Sequence, residues 1–463
     1  MARFVCCDAI FRRNVRLFWE GNCLELRRLP KSLCSLLLTA CLVTLASAQV
    51  ASPTGQPNSP GQNAGSPPSV QAPKLATSKA PPAQTEPPPV PVQTEIGTVE
   101  GAAFRIDVPE NWNHGLVMYF HGYEPKPRLF QPHPPGRILQ QVINRGYAVA
   151  QSGYSSGGWA VEEAARETEA LRRYFAKKHG TPRETFVMGH SMGGLLTAMV
   201  LEQNPQPYAG GLALCGVLAP ADLVMQRAFA NRAAFDAFFP GTLPDVEHIP
   251  ETFAMNDLPT ITTVEKALDA KQAESALIRS LADIHTNRGL ADVLVFNTFV
   301  VKDLRLKAGG NPFDNRNLIY TGTTDDNALN AKVKRYAADP QAARFLSSYY
   351  TPTGDLKRKL LALHTTYDPL VPAATAEFYD SATRRRGDGD LFVQQYVNRD
   401  GHCNITADQT GQAFDELVAW VHESKRPAPG LLPGSATEPP DQPHPNPPPA
   451  KGETPPKNVG KPQ

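Results

Sequence analysis

One short segment of the chain places a serine between two glycines, GHSMG at residues 189–193. An apolar run precedes it and a helix-like run follows it, with no spare residues between them. A serine on such a strand-to-helix turn is exposed, and the glycines are needed because side chains there would collide with neighbouring backbone. The N-terminus of the following helix directs free N–H groups at a developing anion. The pattern predicts that Ser191 is a nucleophile, and a chance match or a plain tight turn is the alternative.

An acid and a base that suit this serine follow later in the chain. A serine hydroxyl attacks a carbonyl only when a base takes its proton, and an acid must orient that base. Chains with such a turn have the acid after a later strand and the base after the last one. Asp368 follows the apolar run 359–365, and His402 follows the run 391–398. We therefore expect a Ser191, Asp368 and His402 triad. The alternatives are an Asp368 that caps a turn and a His402 in a surface loop.

Acyl transfer through a serine also needs two backbone donors for the oxyanion. The first is expected to be the N–H of Met192, directly after the serine. The second is expected to be the N–H of Tyr123, since His121-Gly122-Tyr123 follows the strand-like run LVMYF and glycine lets that loop approach. An ordinary turn at the end of a strand is the alternative.

The elements that must position these residues alternate along the chain. Between residues 96 and 217, strand-like and helix-like runs follow each other at short spacing, and the strand-like runs are apolar throughout. This pattern predicts a parallel sheet with helices on both faces. From about 218 to 356 the sequence is helical and irregular, and strands then resume at 359. We interpret that segment as an inserted lid that sets specificity.

Composition separates this body from its flanks. The chain has 463 residues, and 25 of its 45 prolines lie in residues 49–95 and 427–463. These two segments lack apolar periodicity and cannot bury enough surface to offset the entropy of ordering, so we interpret both as disordered. Residues 96–426 remain for one large catalytic domain with an insertion.

The first 48 residues are typical of an export signal. Basic residues precede an apolar run at 33–48, which ends in the cleavage-site pattern Ala46-Ser47-Ala48. A periplasmic or extracellular location follows. Two alternatives stay open, a lipoprotein signal ending at Cys41 and an uncleaved anchor, and only these would place the protein at a membrane.

Removing the signal changes the charge and the cysteine count. The formal charge falls from +1 to about −3, which leaves no basic excess for binding nucleic acid. Five of the seven cysteines are removed with the signal, and only Cys215 and Cys403 remain. An exported chain with two cysteines permits a single disulfide.

Four motifs in this order, YFHGY, GHSMGG, TTYDPLVP and DGHC, resemble those of the α/β-hydrolase superfamily. The resemblance covers residues 96–426. It implies an α/β fold with an eight-stranded, mostly parallel sheet, helices on both faces and a helical lid, and acyl-enzyme chemistry without a cofactor or metal. The export signal and the GHC motif are similar to those of secreted bacterial esterases of the feruloyl-esterase or tannase kind. Those enzymes typically carry a cysteine directly before the nucleophile, bonded to the one after the histidine. His190 stands at that position here, so we hypothesise a Cys215–Cys403 disulfide instead, with two free thiols as the alternative.

The resemblance implies a serine hydrolase that cleaves small-molecule or polymeric carboxylic esters. A serine peptidase similar to the prolyl oligopeptidases and a polyester depolymerase are alternatives. A different class is a non-catalytic envelope scaffold that binds partners through its proline-rich arms. Trp159 and Phe313 are candidates for lining the substrate pocket, although aromatic residues more often belong to a core.

Overall fold

The computed structural model describes residues 15–19, 22–26 and 90–434. The apolar run of the predicted export signal and most of the two proline-rich segments lie outside the described residues. The chain divides into two compact units, at Met1–Gln84 and Thr85–Gln463. In the first unit two strands, β1 (Val15–Trp19) and β2 (Asn22–Leu26), pair in antiparallel fashion.

The second unit contains nine strands and eleven α-helices within its described residues. Its strands are β3 (Val92–Val99), β4 (Ala102–Pro109), β5 (Gly115–Phe120), β6 (Ala148–Ser152), β7 (Glu184–His190), β8 (Gly210–Leu214), β9 (Lys359–Tyr367), β10 (Phe392–Asp400) and β11 (Gly430–Leu431). The helices of its first half are α1 (Arg137–Asn144), α2 (Val161–His179), α3 (Met192–Gln203), α4 (Ala221–Phe238), α5 (Leu258–Ala270) and α6 (Gln272–Ala282). The remaining helices are α7 (Asn287–Ala308), α8 (Asp326–Lys332), α9 (Pro340–Ser348), α10 (Thr375–Arg386) and α11 (Ala407–Glu423).

All nine strands form one sheet in the order β11-β10-β9-β8-β7-β5-β6-β4-β3. Every pair from β11 to β6 is parallel, whereas β6–β4 and β4–β3 are antiparallel. This confirms the predicted α/β fold with a mostly parallel sheet. The sheet has nine strands where the resemblance implied eight, since it includes the two-residue strand β11.

Both ends of the body extend past the expected boundaries of 96 and 426. At the N-terminal side β3 begins at Val92 and forms a hairpin with β4. The two turn residues, Glu100 and Gly101, have positive φ of 49° and 87°, which suits a two-residue hairpin turn. At the C-terminal side β11 pairs with β10, and Leu432 beyond it is buried.

The sheet is covered on both faces, which explains why a central strand such as β5 carries apolar residues on both of its sides. In β5, Leu116, Met118 and Phe120 belong to one core, and Val117 belongs to the other. Helices α2, α3 and α10 contribute to the first core, and α1 and α11 to the second. The strands therefore form a rigid platform from whose ends the loops project.

The chain order reverses at β5, which lies between β6 and β7 in the sheet. At such a switch point the loops after the two neighbouring strands diverge and leave a crevice at their carboxyl ends. The loop after β5 carries Gly122 and Tyr123, and β7 leads directly into Ser191. The fold thus provides a crevice where the sequence predicts the nucleophile.

Six helices, α4 to α9, lie between β8 and β9. They occupy most of the segment 218–356 that the sequence predicted to be helical, and we call them the helical insertion. A hydrogen bond of 2.9 Å from Arg232 Nε on α4 to Thr298 Oγ1 on α7 joins two of its helices in the interior.

Within the described residues, no helix has the length and apolar content needed to cross a membrane.

Candidate active site

Ser191 lies on a tight turn between the end of β7 and the start of α3. Its φ of 57° is in the left-handed region, which is strained for a residue with a side chain. Both flanking glycines are required. A Cβ on Gly189 would lie 2.2 Å from the Gly193 carbonyl oxygen, and one on Gly193 would lie 2.1 Å from that of Phe120. The Ser191 N–H donates to the Leu214 carbonyl of β8 at 2.9 Å, which fixes the turn to the sheet.

The structure brings the three predicted triad side chains into one hydrogen-bonded chain. His402 Nε2 lies 2.9 Å from Ser191 Oγ, and His402 Nδ1 lies 2.7 Å from Asp368 Oδ2. Both distances fall within hydrogen-bond range. With Nδ1 protonated toward the carboxylate, Nε2 is free to accept the serine proton. The arrangement can therefore activate Ser191 as a nucleophile.

Asp368 is held in place by the turn that follows β9. Its Oδ1 accepts hydrogen bonds from the N–H groups of Leu370 and Val371, both at 2.9 Å, while Oδ2 faces His402. Asp368 thus both caps its turn and contacts the histidine, so the two interpretations of this residue are compatible. Burial opposes its ionisation, but the neighbouring His402 and His364 outweigh burial and hold the pKa of Asp368 well below its usual range.

His364, on strand β9, is a second histidine partner of Asp368. Its Nε2 lies 2.9 Å from the Val371 carbonyl oxygen and 3.3 Å from Asp368 Oδ2. The imidazole therefore braces the turn that orients the acid. No periodicity or motif marks His364. Its side chain contacts Asp368 only because the turn after β9 folds back beside the strand.

The loop that carries His402 follows β10 and is fixed on two sides. Gly401 N–H donates to the Tyr367 carbonyl at 2.9 Å, and Thr365 Oγ1 donates to the Gly401 carbonyl at 3.1 Å. On the other side a disulfide joins Cys403 to Cys215 at the end of β8, with a Cα–Cα distance of 5.2 Å. The sulfurs lie near the His402 ring and could suit a metal ion by distance alone. Both are held in the disulfide, so neither is available as a thiolate ligand.

The two predicted oxyanion donors lie close to Ser191. Met192 begins α3, and a Cβ added at Gly122 would lie 3.3 Å from Ser191 Cβ, so the loop after β5 passes directly beside the serine. In the part of the chain that the structure describes, neither the Met192 N–H nor the Tyr123 N–H donates to a protein acceptor. The Tyr123 hydroxyl donates to Asp303 Oδ2 at 2.7 Å.

Asp303 lies on α7 of the helical insertion and connects it to two loops near the serine. Besides the Tyr123 hydroxyl, it accepts the Trp159 N–H at 2.9 Å. Burial and the Asp303 charge raise the pKa of Tyr123 well above its usual value, so the phenol remains a donor. Sequence reasoning missed Asp303, because a single acidic residue on a helix normally indicates a solvated face.

His190 takes the position directly before the nucleophile, and its side chain packs rather than reacts. The Tyr119 hydroxyl lies 3.2 Å from His190 Nδ1, and the rings are 5.7 Å apart in an edge-on arrangement. Burial, followed by the charge on His402, lowers the pKa of His190 to about 4. The ring is therefore neutral at neutral pH, which suits a packing role.

A cavity of about 320 Å³ opens beside Ser191. Trp159 lines it, together with Tyr123 and Met192. The lining is mostly apolar and comes from the loops of the sheet, from α4 and α7 of the insertion, and from the segment after Asp368. Its members are Tyr123, Trp159, Ser191, Met192, Val217, Ala219, Leu223, Val224, Met225, Arg227, Ala228, Asn231, Val293, Phe296, Asn297, Val300, Pro369, Leu370, Val371, Pro372, Ala374, Thr375 and Phe378.

Phe313 does not line this cavity, so its assignment to the substrate pocket is corrected. It is fully buried, and its ring stacks on Phe229 of α4 at a centroid distance of 4.7 Å. Turn residues beside Phe313 in the sequence led to the prediction that it borders the acyl pocket. The loop instead packs inward because Asn311 bonds to the backbone of Phe313 and Ala337.

The prolyl oligopeptidase family of serine peptidases matches residues 140–233 of the chain, a segment that runs from α1 through the Ser191 turn to α4. No curated protein sequence matches the chain. The match and the hydrogen-bonded triad together support a serine hydrolase of the α/β-hydrolase type.

Solved structures with a similar fold include both peptidases and esterases. One is an acylaminoacyl peptidase from Pyrococcus horikoshii, with 12% identity, 72% of this chain and 42% of that chain covered, and a TM-score of 0.39. Another is an esterase from Aspergillus oryzae, with 11% identity, 72% of this chain and 80% of that chain covered, and a TM-score of 0.40. A third is Est1E from Butyrivibrio proteoclasticus with bound ferulic acid, at 12% identity, 70% and 99% coverage and a TM-score of 0.39. The chain thus spans less than half the length of the peptidase.

Proposed function

We propose that this protein hydrolyses carboxylic esters through an acyl-enzyme intermediate. The observation that carries the proposal is the hydrogen-bonded chain from Ser191 Oγ through His402 to Asp368. Ser191 attacks the ester carbonyl while His402 takes its proton, and the same histidine then returns the proton to the leaving alcohol. Asp368 orients His402 and stabilises the imidazolium. Water repeats the sequence on the acyl-enzyme and releases the acid.

The oxyanion of each tetrahedral intermediate is assigned to the N–H groups of Met192 and Tyr123. Both are backbone donors at fixed positions, one at a helix N-terminus and one on the loop that passes Ser191. Preorganised donors of this kind stabilise the charge without reorganising during the reaction, and one donor typically accounts for about 10²- to 10³-fold in rate.

The cavity favours an ester over a peptide with a free amino terminus. Among the described residues that line it, none is acidic, so no carboxylate is present to pair with an ammonium group. An apolar acyl chain is instead matched by its aliphatic and aromatic lining. The match to the prolyl oligopeptidase family makes a serine peptidase the second candidate. Polyester cleavage would use the same chemistry on a longer substrate.

Paired chromogenic substrates test this choice. The mature protein is assayed with p-nitrophenyl esters of increasing acyl length and with the p-nitroanilides of the same acids, alongside Ser191→Ala. The proposal predicts that esters are turned over, that anilides are cleaved far more slowly, and that Ser191→Ala loses both activities. Cleavage of the anilides at a kcat/KM comparable with that of the esters would instead favour the peptidase.

We also propose that the protein acts outside the cytoplasm as an exported enzyme. The sequence of residues 27–48 and a disulfide between the two remaining cysteines are both consistent with an oxidising compartment. Its partners on this view are ester substrates rather than nucleic acid. Mass determination of the secreted or periplasmic protein should give an N-terminus at Gln49, whereas an intact N-terminus would identify an anchor.

A further inference from the structure

Two buried asparagines line the cavity beside Ser191. Asn231 lies on α4 and Asn297 on α7, and their exposed fractions are 7% and 4%. The other residues that these two helices turn toward the cavity are apolar, apart from Arg227 on α4. They include Val224 and Ala228 on α4 and Val293 on α7. The two amides therefore interrupt a mostly apolar wall.

The packing of α4 against α7 brings the two amides to the same level. Arg232 and Thr298, the residues directly after the two asparagines, are joined by a hydrogen bond of 2.9 Å. Because an α-helix rises only about 1.5 Å per residue, the preceding positions lie at nearly the same height on each helix. Both asparagines border one cavity, so a single ligand group has access to both.

Within the described residues neither amide side chain forms a hydrogen bond to the protein, and the polar atoms of both amides are open to the cavity rather than enclosed by protein. The other two buried asparagines behave differently. Asn311 bonds to the backbone of Phe313 and Ala337, and Asn315 bonds to Tyr320 and to the backbone. A buried amide without a partner costs free energy, so it is expected only where a ligand or water supplies the bond.

The position of the cavity relative to the triad indicates which part of a substrate it holds. Its lining includes the oxyanion donors Tyr123 and Met192, but His402 is not among the described lining residues. Since His402 protonates the leaving alcohol, that alcohol lies on the His402 side. The cavity then lies on the acyl side of the scissile bond.

We propose that Asn231 and Asn297 bind a neutral hydrogen-bonding group, a carbonyl or a hydroxyl, on an otherwise apolar acyl chain. This assignment rests on the proposed ester hydrolysis. Asparagine offers a donor and an acceptor without charge, which suits a neutral group rather than an ion. The one cation among the described lining residues, Arg227, donates Nη2 to the Ala282 carbonyl at 2.9 Å.

A matched substrate series tests the assignment. The wild type is assayed with p-nitrophenyl octanoate and with analogues that carry a ketone at successive positions from carbon 4 to carbon 7. At least one keto ester is expected to have a kcat/KM about tenfold above that of the plain ester. Asn231→Leu and Asn297→Leu should each reduce this preference about three- to tenfold. Val293→Ala, on the same wall of α7, should change both esters alike and retain the preference.

The preference is the ratio of kcat/KM for the keto ester to kcat/KM for the plain ester, measured with the same variant. A change in the folded fraction or in triad geometry affects both esters alike and therefore cancels in this ratio. Thermal unfolding gives a second readout. Replacing an unbonded buried amide by leucine should leave the melting temperature unchanged or raise it. Should a leucine variant not fold, the alanine variant at that position is read in the same way.

Three results would overturn parts of this account and are distinguishable. A wild type that hydrolyses plain and keto esters equally, or a preference that survives in both asparagine variants, contradicts the polar subsite but leaves the ester hydrolase intact. A melting temperature several degrees lower in both variants assigns the amides a structural role and contradicts the subsite. A wild type that hydrolyses none of the esters, including plain octanoate, overturns the proposed function and the subsite together.

Discussion

Removing the Cys215–Cys403 disulfide should lower the thermal stability of the protein clearly, while kcat should change little. The perturbation is the double variant Cys215→Ala and Cys403→Ala, which leaves no thiol behind. Both cysteines have positive φ, 44° and 55°, so the crosslink holds two residues in a conformation that side chains rarely adopt. The bond joins the end of β8 to the loop that carries His402.

The magnitude follows from the length of chain that the bond closes. The cysteines are 188 residues apart. In the chain-entropy model, closing a loop of that length lowers the entropy of the unfolded state, which stabilises the folded state by about 5 kcal/mol at 25 °C. Removing the bond should lower the free energy of unfolding by about the same amount. For a folded body of roughly 345 residues, this corresponds to a fall of about 7 °C in melting temperature. The effect on kcat should stay below about tenfold, because His402 keeps its contacts with Asp368 and Ser191.

Calorimetry or urea unfolding of oxidised wild type and of the double variant measures the stability change, and ester hydrolysis at 25 °C measures kcat. Reduced wild type is the matched control, and it should unfold together with the variant. Thiol titration of the denatured, unreduced mature protein should find no free thiol. Two titratable thiols, or a variant that unfolds with the oxidised wild type, would refute the reasoning.

Four further predictions follow from the site. Asp368→Asn should lower kcat about 10³- to 10⁴-fold, measured by steady-state kinetics, because the orienting carboxylate is lost. Gly193→Ala should abolish soluble, active protein, as expression and labelling would show, because its Cβ meets the Phe120 carbonyl. Tyr123→Phe removes the hydrogen bond from the Tyr123 hydroxyl to Asp303, which positions the loop that carries the Tyr123 N–H. The substitution should lower kcat about tenfold with little change in KM, and a rise in KM as large as the fall in kcat would contradict this role. The pKa of His190 is lowered from 6.5 to about 4, so the unfolded chain takes up a proton more readily than the folded protein, and the free energy of unfolding should fall as pH drops from 6.5 to 4. Acid unfolding curves of His190→Leu should show a fall that is smaller by about 3 kcal/mol.

The sequence predicted the parts of this protein that depend on local geometry. The turn at Ser191 is determined by two glycines whose missing side chains would collide with nearby backbone, and that requirement is visible in the motif itself. The apolar strands predicted a sheet covered on both faces. The acid and the base were found because each follows a strand whose carboxyl end meets the same edge of the sheet.

Other features depend on contacts between residues far apart in sequence. Phe313 could not be placed from its own segment, because its burial results from stacking on Phe229, more than eighty residues earlier. Asp303 reaches Tyr123 only through the packing of α7 over the site. The strand at Gly430–Leu431 lies in a proline-rich segment, and it forms because β10 presents an edge for it to pair with.

The central claim is that Ser191 is the nucleophile of an ester-hydrolysing triad. Its most direct test is to treat the mature protein with a fluorophosphonate and to locate the adduct by mass spectrometry of the digested protein. We expect one adduct, on Ser191, formed in step with the loss of p-nitrophenyl ester hydrolysis and absent from Ser191→Ala. An adduct on another residue, or ester hydrolysis that persists in Ser191→Ala, would contradict the assignment.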